Sequence, residues 1–253
     1  MTVLLVRPSR NEIDSAALAV YGIECESDPY LTIEGIDNAA GASRMLDALV
    51  ERSGESATAT WLIITSSNAL EFFERSVGAN KFDQVFETDL AVSFAAIGEQ
   101  TKSLLQTRGA LSVLLPNVET SEALATELIK HQSGVAVIPM GSLALQTLPD
   151  ALSAAGWTVV NEVVYTTEQV ANVPASAAKV MRGEYEAVVL RSPSAAKAFA
   201  QFCGPTRLSV ICAGATTAEA ANALGLNVVA VSRSANPSSV AQTVATALGV
   251  TRA

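Results

Sequence analysis

Histidine is the residue type this sequence has least of: there is one in 253 residues. A Ser–His–Asp triad needs a histidine as general base. His131 stands beside Gln132-Ser133-Gly134, at the end of a predicted helix where the macrodipole favours it. It reads as a helix-terminal residue, which argues against both a triad and a histidine-ligated metal. Aromatic residues make up only 5% of the chain, too few near the strand ends to stack a flavin. The three cysteines, Cys25, Cys203 and Cys212, are an odd set without metal-type spacing. They read as buried free thiols of a protein kept in a reducing cytoplasm. No apolar run approaches the ~20 residues of a membrane span, and no signal-peptide pattern precedes the first strand. There is no G-x-x-x-x-G-K-[ST], no G-x-G-x-x-G after a strand, and no G-x-S-x-G elbow.

Positive charge is also short. Sixteen Lys and Arg face 25 Asp and Glu, for a net −9. That excludes nucleic acid and anionic membranes as expected partners. The deficit is local: residues 34–168 hold 7 cations and 17 carboxylates, while the remainder is nearly neutral. An anionic ligand would have to use the terminal segments, or helix N-termini instead of net charge.

What the chain does have is Ala, Val and Leu in short runs that end in hydroxyls. Ala187-Val188-Val189-Leu190-Arg191-Ser192-Pro193-Ser194 reads as a buried parallel strand running into a helix, with Ser192 as N-cap and Pro193 at the first helical position. Leu62-Ile63-Ile64-Thr65-Ser66-Ser67 repeats the design, with a helix starting at Ser66 or Ser67. Further strands are expected at Thr2–Val6, Ile23–Glu26, Val92–Ile97, 112–115, Val135–Ile138, 158–167, Leu208–Cys212 and Asn227–Val231. Ser9-Arg10-Asn11-Glu12 reads as a capping box, and Asp37 as the cap of a helix to about Arg52. Ser53–Ser56 is expected as a loop, and 81–88 as a short helix. Thr120-Ser121 caps another helix. One more is expected from about Ser142 to Ala155, with Gly156 as its stop.

The pattern repeats within the chain, which prescribes architecture. Gly98 to Gly109 and Gly214 to Gly225 are steps of eleven, followed by steps of fifteen to Leu124 and Val240. Strand, helix, Gly22, strand, Tyr30 is matched by strand, helix, Gly156, strand, Tyr165. The expected fold is α/β: two similar flavodoxin/Rossmann-like lobes with parallel sheets, joined by two extended crossing strands. Their order in the chain is permuted. The first lobe takes residues 1–33 plus 169–253, the second is inserted at 34–168, and the crossings lie near 29–34 and 162–168. The strand edges of both lobes are expected to face one cleft, the usual place for a ligand.

Val3-Leu4-Leu5-Val6-Arg7-Pro8, Ile63-Ile64-Thr65-Ser66-Ser67-Asn68-Ala69, Ala96-Ile97-Gly98-Glu99-Gln100-Thr101, Val163-Val164-Tyr165-Thr166-Thr167 and Cys212-Ala213-Gly214-Ala215-Thr216-Thr217 together resemble uroporphyrinogen-III synthase, as does Pro237-Ser238-Ser239-Val240. The likeness covers nearly the whole chain, including the permuted order. It implies a cofactor-independent lyase. The substrate is hydroxymethylbilane, a linear tetrapyrrole with eight carboxylate arms. The enzyme removes its terminal hydroxyl, inverts the last ring and closes the macrocycle through azafulvene and spiro intermediates. The pyrroles supply the electrons, so the protein's task is chiefly orientation. A monomer is expected.

The resemblance makes Tyr165 the candidate that helps the hydroxyl leave; packing at the crossing is its other reading. Thr216 and Thr217 are one hydroxyl more than a cap requires. Thr65, Ser66, Ser67, Ser192 and Ser194 combine capping with substrate binding. Gly98, Gly141 and Ser142 offer backbone N–H groups at expected helix starts. Arg7 and Arg191, each ending a strand of the near-neutral lobe, are read as carboxylate anchors, against the alternative of a local ion pair. Met140-Gly141 departs from the family, where many members carry an Arg before that Gly. The competing reading is a ligand-binding or sensory module of the same fold without the reaction.

Overall fold

The computed structural model describes residues 1–50, 59–87 and 91–251. The expected loop at Ser53–Ser56, the end of the helix at Arg52 and the expected helix end at Thr88 lie outside them. The chain divides into two compact units, Met1–Ile33 with Glu168–Ala253, and Glu34–Thr167.

The first unit is a five-stranded sheet. Its strands are β1 (Thr2–Leu5), β2 (Glu24–Ser27), β9 (Ala187–Leu190), β10 (Ser209–Cys212) and β11 (Val228–Val231), in the order β11-β10-β9-β1-β2, all parallel. Counted within the unit this is 2-1-3-4-5, the flavodoxin-like order. Period-two alternation sends Leu4, Val188, Leu190, Val210 and Cys212 to one face, with Val180 of α8 (Ala175–Arg182), Phe199 of α9 (Pro193–Cys203) and Ala218 of α10 (Ala215–Ala223). Val3, Leu5, Ala187, Val189 and Ile211 pack on the other face against α1 (Asn11–Ala19) and α11 (Pro237–Ala247). Strands covered on both faces read as continuous apolar runs, which is why β9 is buried at every position.

The second unit repeats this. Its strands are β3 (Leu31–Gly35), β4 (Thr60–Ile64), β5 (Val92–Ala96), β6 (Val113–Leu114), β7 (Val135–Gly141) and β8 (Thr158–Gln169), ordered β3-β8-β7-β4-β5-β6. The chain passes from unit to unit within β3 and β8. If β7 and β8 are matched to β1 and β2, and β4, β5 and β6 to β9, β10 and β11, these five parallel strands repeat the order of the first sheet, and β3 is added at the edge beyond β8. Leu62, Ile64, Phe94 and Val137 pack with α2 (Ala39–Val50), α3 (Ser67–Val77), α4 (Ala79–Phe82) and α5 (Glu99–Thr107). Trp61, Ile63, Ala95 and Ile138 pack with α6 (Ser121–Ile129) and α7 (Thr147–Ala154).

Several local expectations change. The Ser9–Glu12 capping box does not form: α1 starts at Asn11 behind Arg10, whose φ of 63° is left-handed and whose side chain makes no cap bond. Asn38, not Asp37, caps α2, accepting from the Gly41 N–H at 3.0 Å. The helix placed at Ser142–Ala155 starts only at Thr147. Starting at Ser142 would have put Pro149 in its interior, where the ring clashes and a hydrogen bond is lost; starting at Thr147 keeps the proline in the first turn. Ser142 instead opens the turn after β7, its N–H bonded to Tyr165 O at 2.9 Å. Helix α10 is entered through Gly214 without a side-chain cap, so neither Thr216 nor Thr217 caps it. Cys203 and Cys212 are buried free thiols, but Cys25 is only half-buried. Among the described residues no helix is long and apolar enough to cross a membrane.

Candidate functional site

In an open parallel sheet, neighbouring strands whose connections leave in opposite directions open a crevice at their carboxyl ends. That point falls between β1 and β9 in the first unit and between β7 and β4 in the second. Most of the singled-out residues lie at these two places.

In the second unit, the register of β7 against β8 slips once, pairing Met140 with Val163 and then Gly141 with Tyr165. The bulge spends one extra residue, Val164, and re-aims the next side chain. The Tyr165 ring stacks on Phe72 of α3, centroids 5.5 Å apart and planes 20° from parallel. Its hydroxyl donates to Ser66 Oγ at 3.3 Å. Ser66 is the N-cap of α3 and also accepts from Asn68 N–H at 3.2 Å. Gly141 lies beneath the ring: a Cβ there would stand 2.4 Å from Tyr165 Cζ. Ser142 Oγ is 3.0 Å from Thr166 Oγ1. Thr65 and Ser67, on either side of Ser66, are half-buried. Thus Tyr165, Ser66, Gly141 and Ser142 are brought together, although Ser142 is not at a helix start. Met140 turns into the core with α6 and α7, where its sulfur takes a hydrogen bond from Asn161 Nδ2 at 3.3 Å.

Gly98 stands apart from that group. It does precede α5, but Glu119 Oε1 lies 3.4 Å from the Glu99 nitrogen and 2.5 Å from where a Cβ on Gly98 would be. A carboxylate of the chain itself therefore faces this helix N-terminus, as the dipole favours.

In the first unit, Ser192 caps α9, accepting from Ala195 N–H at 3.1 Å and lying 2.9 Å from Ser194 Oγ. Thr216 is exposed and Thr217 is buried, so the structure separates that pair. The two arginines meet at a residue the sequence did not single out. Asp14 of α1, 2% exposed, accepts from Arg7 Nη1 at 3.2 Å and from Arg191 Nη1 at 3.1 Å. Arg191 also donates to Ala235 O, and Asn11 Nδ2 holds Arg7 O at 2.8 Å. Burial lowers the Arg191 pKa from its ordinary value, opposed by Asp14 and assisted by Arg7. The ion-pair reading of the arginines is therefore realised. It leaves two cations on one carboxylate, so the cluster remains net positive.

Among the described residues no group of three or more His, Cys, Asp and Glu is placed to hold a metal. The polar inventory is hydroxyls, a phenol, guanidiniums and helix starts. Such groups orient and hydrogen-bond a ligand; they do not form a nucleophile–base pair.

Two sheets that share one order of five parallel strands, each with its polar groups at the carboxyl ends, define a duplicated, doubly wound α/β protein. A family model described as uroporphyrinogen-III synthase HemD matches residues 14–242. The chain belongs to the uroporphyrinogen-III synthase family, cyclising lyases of heme biosynthesis. Among solved structures, it is similar to a mutant uroporphyrinogen III synthase from the extremely thermophilic bacterium Thermus thermophilus, at 17% identity, TM-score 0.62, covering 98% of this chain and 99% of that one. It is also similar to uroporphyrinogen-III synthetase from Helicobacter pylori 26695, at 14% identity, TM-score 0.58, with 98% and 99% covered. At these identities the likeness speaks for the fold. No curated protein sequence matches the chain.

Proposed function

We propose that this chain closes hydroxymethylbilane to uroporphyrinogen III as a cytoplasmic monomer, with Tyr165 as the group that assists loss of the terminal hydroxyl. The observation that carries the assignment of Tyr165 is its hydroxyl, set 3.3 Å from Ser66 Oγ at the strand edge between β7 and β4. That hydrogen bond is long. A substrate hydroxyl placed there takes over the phenol's hydrogen bond at little cost. As the C–O bond breaks, the phenol donates to the departing oxygen while the pyrrole nitrogen supplies the electrons. The stack on Phe72 and the contact with Gly141 fix the ring. Ser66, Ser67, Thr65, Gly141 and Ser142 then hold the reacting end of the bilane.

The carboxylate arms are assigned to Arg7, Arg191, Ser192, Ser194 and the exposed Thr216, while the buried Thr217 supports the helix start behind it. Guanidinium–carboxylate pairing supplies direction as well as charge. Gly98 contributes only if Glu119 withdraws. Catalysis is by orientation: the uncatalysed bilane already cyclises, to the uninverted isomer, and the protein selects the attacking carbon.

The test is isomer analysis. Hydroxymethylbilane is generated in place, the protein is added, and the oxidised uroporphyrins I and III are separated. Dominant isomer III is expected. Tyr165→Phe should lower kcat roughly 10–100-fold with the product still isomer III, less than full proton transfer is worth. Isomer I alone, at the protein-free rate, would replace the enzyme with a ligand-binding module of the same fold.

A further inference from the structure

The first unit contains a buried carboxylate that the proposed reaction does not use. Asp14 lies at the fourth position of α1, and both of its oxygens are occupied, Oδ2 by Arg7 and Oδ1 by Arg191. The two arginines follow neighbouring strands, β1 and β9, in register at Leu5 and Val189. Like charges on adjacent strand ends repel, and neither long side chain has a reason to stay in one rotamer. A carboxylate between them reverses that. It takes one terminal nitrogen from each, so each fork keeps further donors. The surroundings also hold the group: Arg10 is left-handed at the helix entrance, Asn11 ties down the Arg7 carbonyl, and Ala235 O takes Arg191 Nη2. Among the described residues, Asn11 Oδ1 is buried without a hydrogen-bond partner.

We infer that Asp14 is a positioning residue, aligning the Arg7 and Arg191 guanidiniums as a paired receptor for carboxylate arms of the substrate. This rests on the function proposed above. Asp14 itself touches no substrate. Its single charge leaves the pair net positive, and its pull sets the direction in which the remaining donors point. An Asn there lacks the charge and offers one acceptor in place of two.

The experiment compares steady-state kinetics, isomer ratio and thermal melting of wild type, Asp14→Asn, Arg7→Gln/Arg191→Gln and the triple variant. Asp14→Asn should raise KM for hydroxymethylbilane about tenfold with kcat within about twofold. In the background lacking both arginines the same change should leave KM where it already is, because Asp14 then has nothing to align. Asp14→Glu should recover part of the loss. A merely structural Asp14 would lower the melting temperature in both backgrounds without this split. Unchanged KM in Asp14→Asn, or an equal rise in both backgrounds, overturns the inference while the wild type still makes isomer III. If Asp14→Asn does not fold, the double arginine variant decides: a wild-type KM there overturns it. A wild type that yields isomer I alone overturns the proposed function, and this inference with it.

Discussion

Gly141 is the residue on which the tyrosine's placement most depends. Its own backbone is ordinary extended strand, so a left-handed φ is not the reason for glycine here. The reason is space: a Cβ would stand 2.4 Å from Tyr165 Cζ and 2.6 Å from its hydroxyl, well inside van der Waals contact. Gly141→Ala must therefore push the ring off Ser66. Its kcat should fall about as far as that of Tyr165→Phe, roughly tenfold or more, while melting temperature moves little, since the ring is only half-buried. Full activity in Gly141→Ala would mean that the ring position is not critical. The types of these residues were legible in the sequence, because hydroxyls after an apolar run mark a strand edge. Their partners were not. Asp14 is 7 positions from Arg7 and 177 from Arg191, and no spacing rule connects them. Phe72 has the sequence context of any helix aromatic, and nothing in that context places it against Tyr165.

Among elements, the junction of α2 and β8 shows how one local network fixes a helix start to a strand. Asn38 caps α2 and donates from Nδ2 to Glu162 at 3.1 Å, while Arg44, further along the helix, pairs with the same carboxylate. The Arg44 hydrogen bond, partly opposed by burial and aided by Asn38, holds the Glu162 pKa below the usual 4.5. A carboxylate depressed on folding contributes stability above its unfolded value and loses it as pH falls through the folded one. Glu162→Gln should thus melt slightly below wild type at pH 7, by under about 1 kcal/mol for so exposed a pair. The gap should close as pH drops below about 4.5, through the depressed folded-state value. Melting curves across that range would show it; a gap independent of pH would assign the loss to packing. Strand positions were read well because strands buried on both faces are unmistakable apolar runs. Helix starts were read less well. The start of α7 was governed by Pro149, seven residues past the expected cap. The start of α1 took a left-handed arginine that no capping rule anticipates.

For the molecule as a whole, the internal repeat was legible because glycine steps of eleven and residue steps of fifteen recur, and both sheets do share one order of five parallel strands. The copies have diverged in use. Tyr30, the counterpart of Tyr165, is wholly buried, with its hydroxyl 3.0 Å from Ser176 Oγ. Charge has diverged as well. Residues 34–167 hold 7 cations and 16 carboxylates, against 9 and 9 in the other unit. Self-repulsion of like charge weakens a compact state, and raising salt from 0.01 to 0.15 M shortens its range from ~30 to ~8 Å. The melting temperature should therefore rise over that interval. A flat response would mean that the carboxylates are already balanced by their local partners.

Insertion of the acidic unit within the neutral one also sets a schedule. Val3 pairs with Ala187, so the first strand emerges from the ribosome 184 residues ahead of its central neighbour. At 5–20 residues per second that is ~10–40 s, longer than most domains need to fold. The inserted unit can complete its sheet during this wait. The opening segment, Val3-Leu4-Leu5-Val6, can pair with β2 soon after both emerge, but it must pass the same interval with its other edge, the one that later takes β9, open. Its safekeeping is a matter of nascent-chain handling, and slowing synthesis should aggravate that exposure while leaving the finished molecule unchanged.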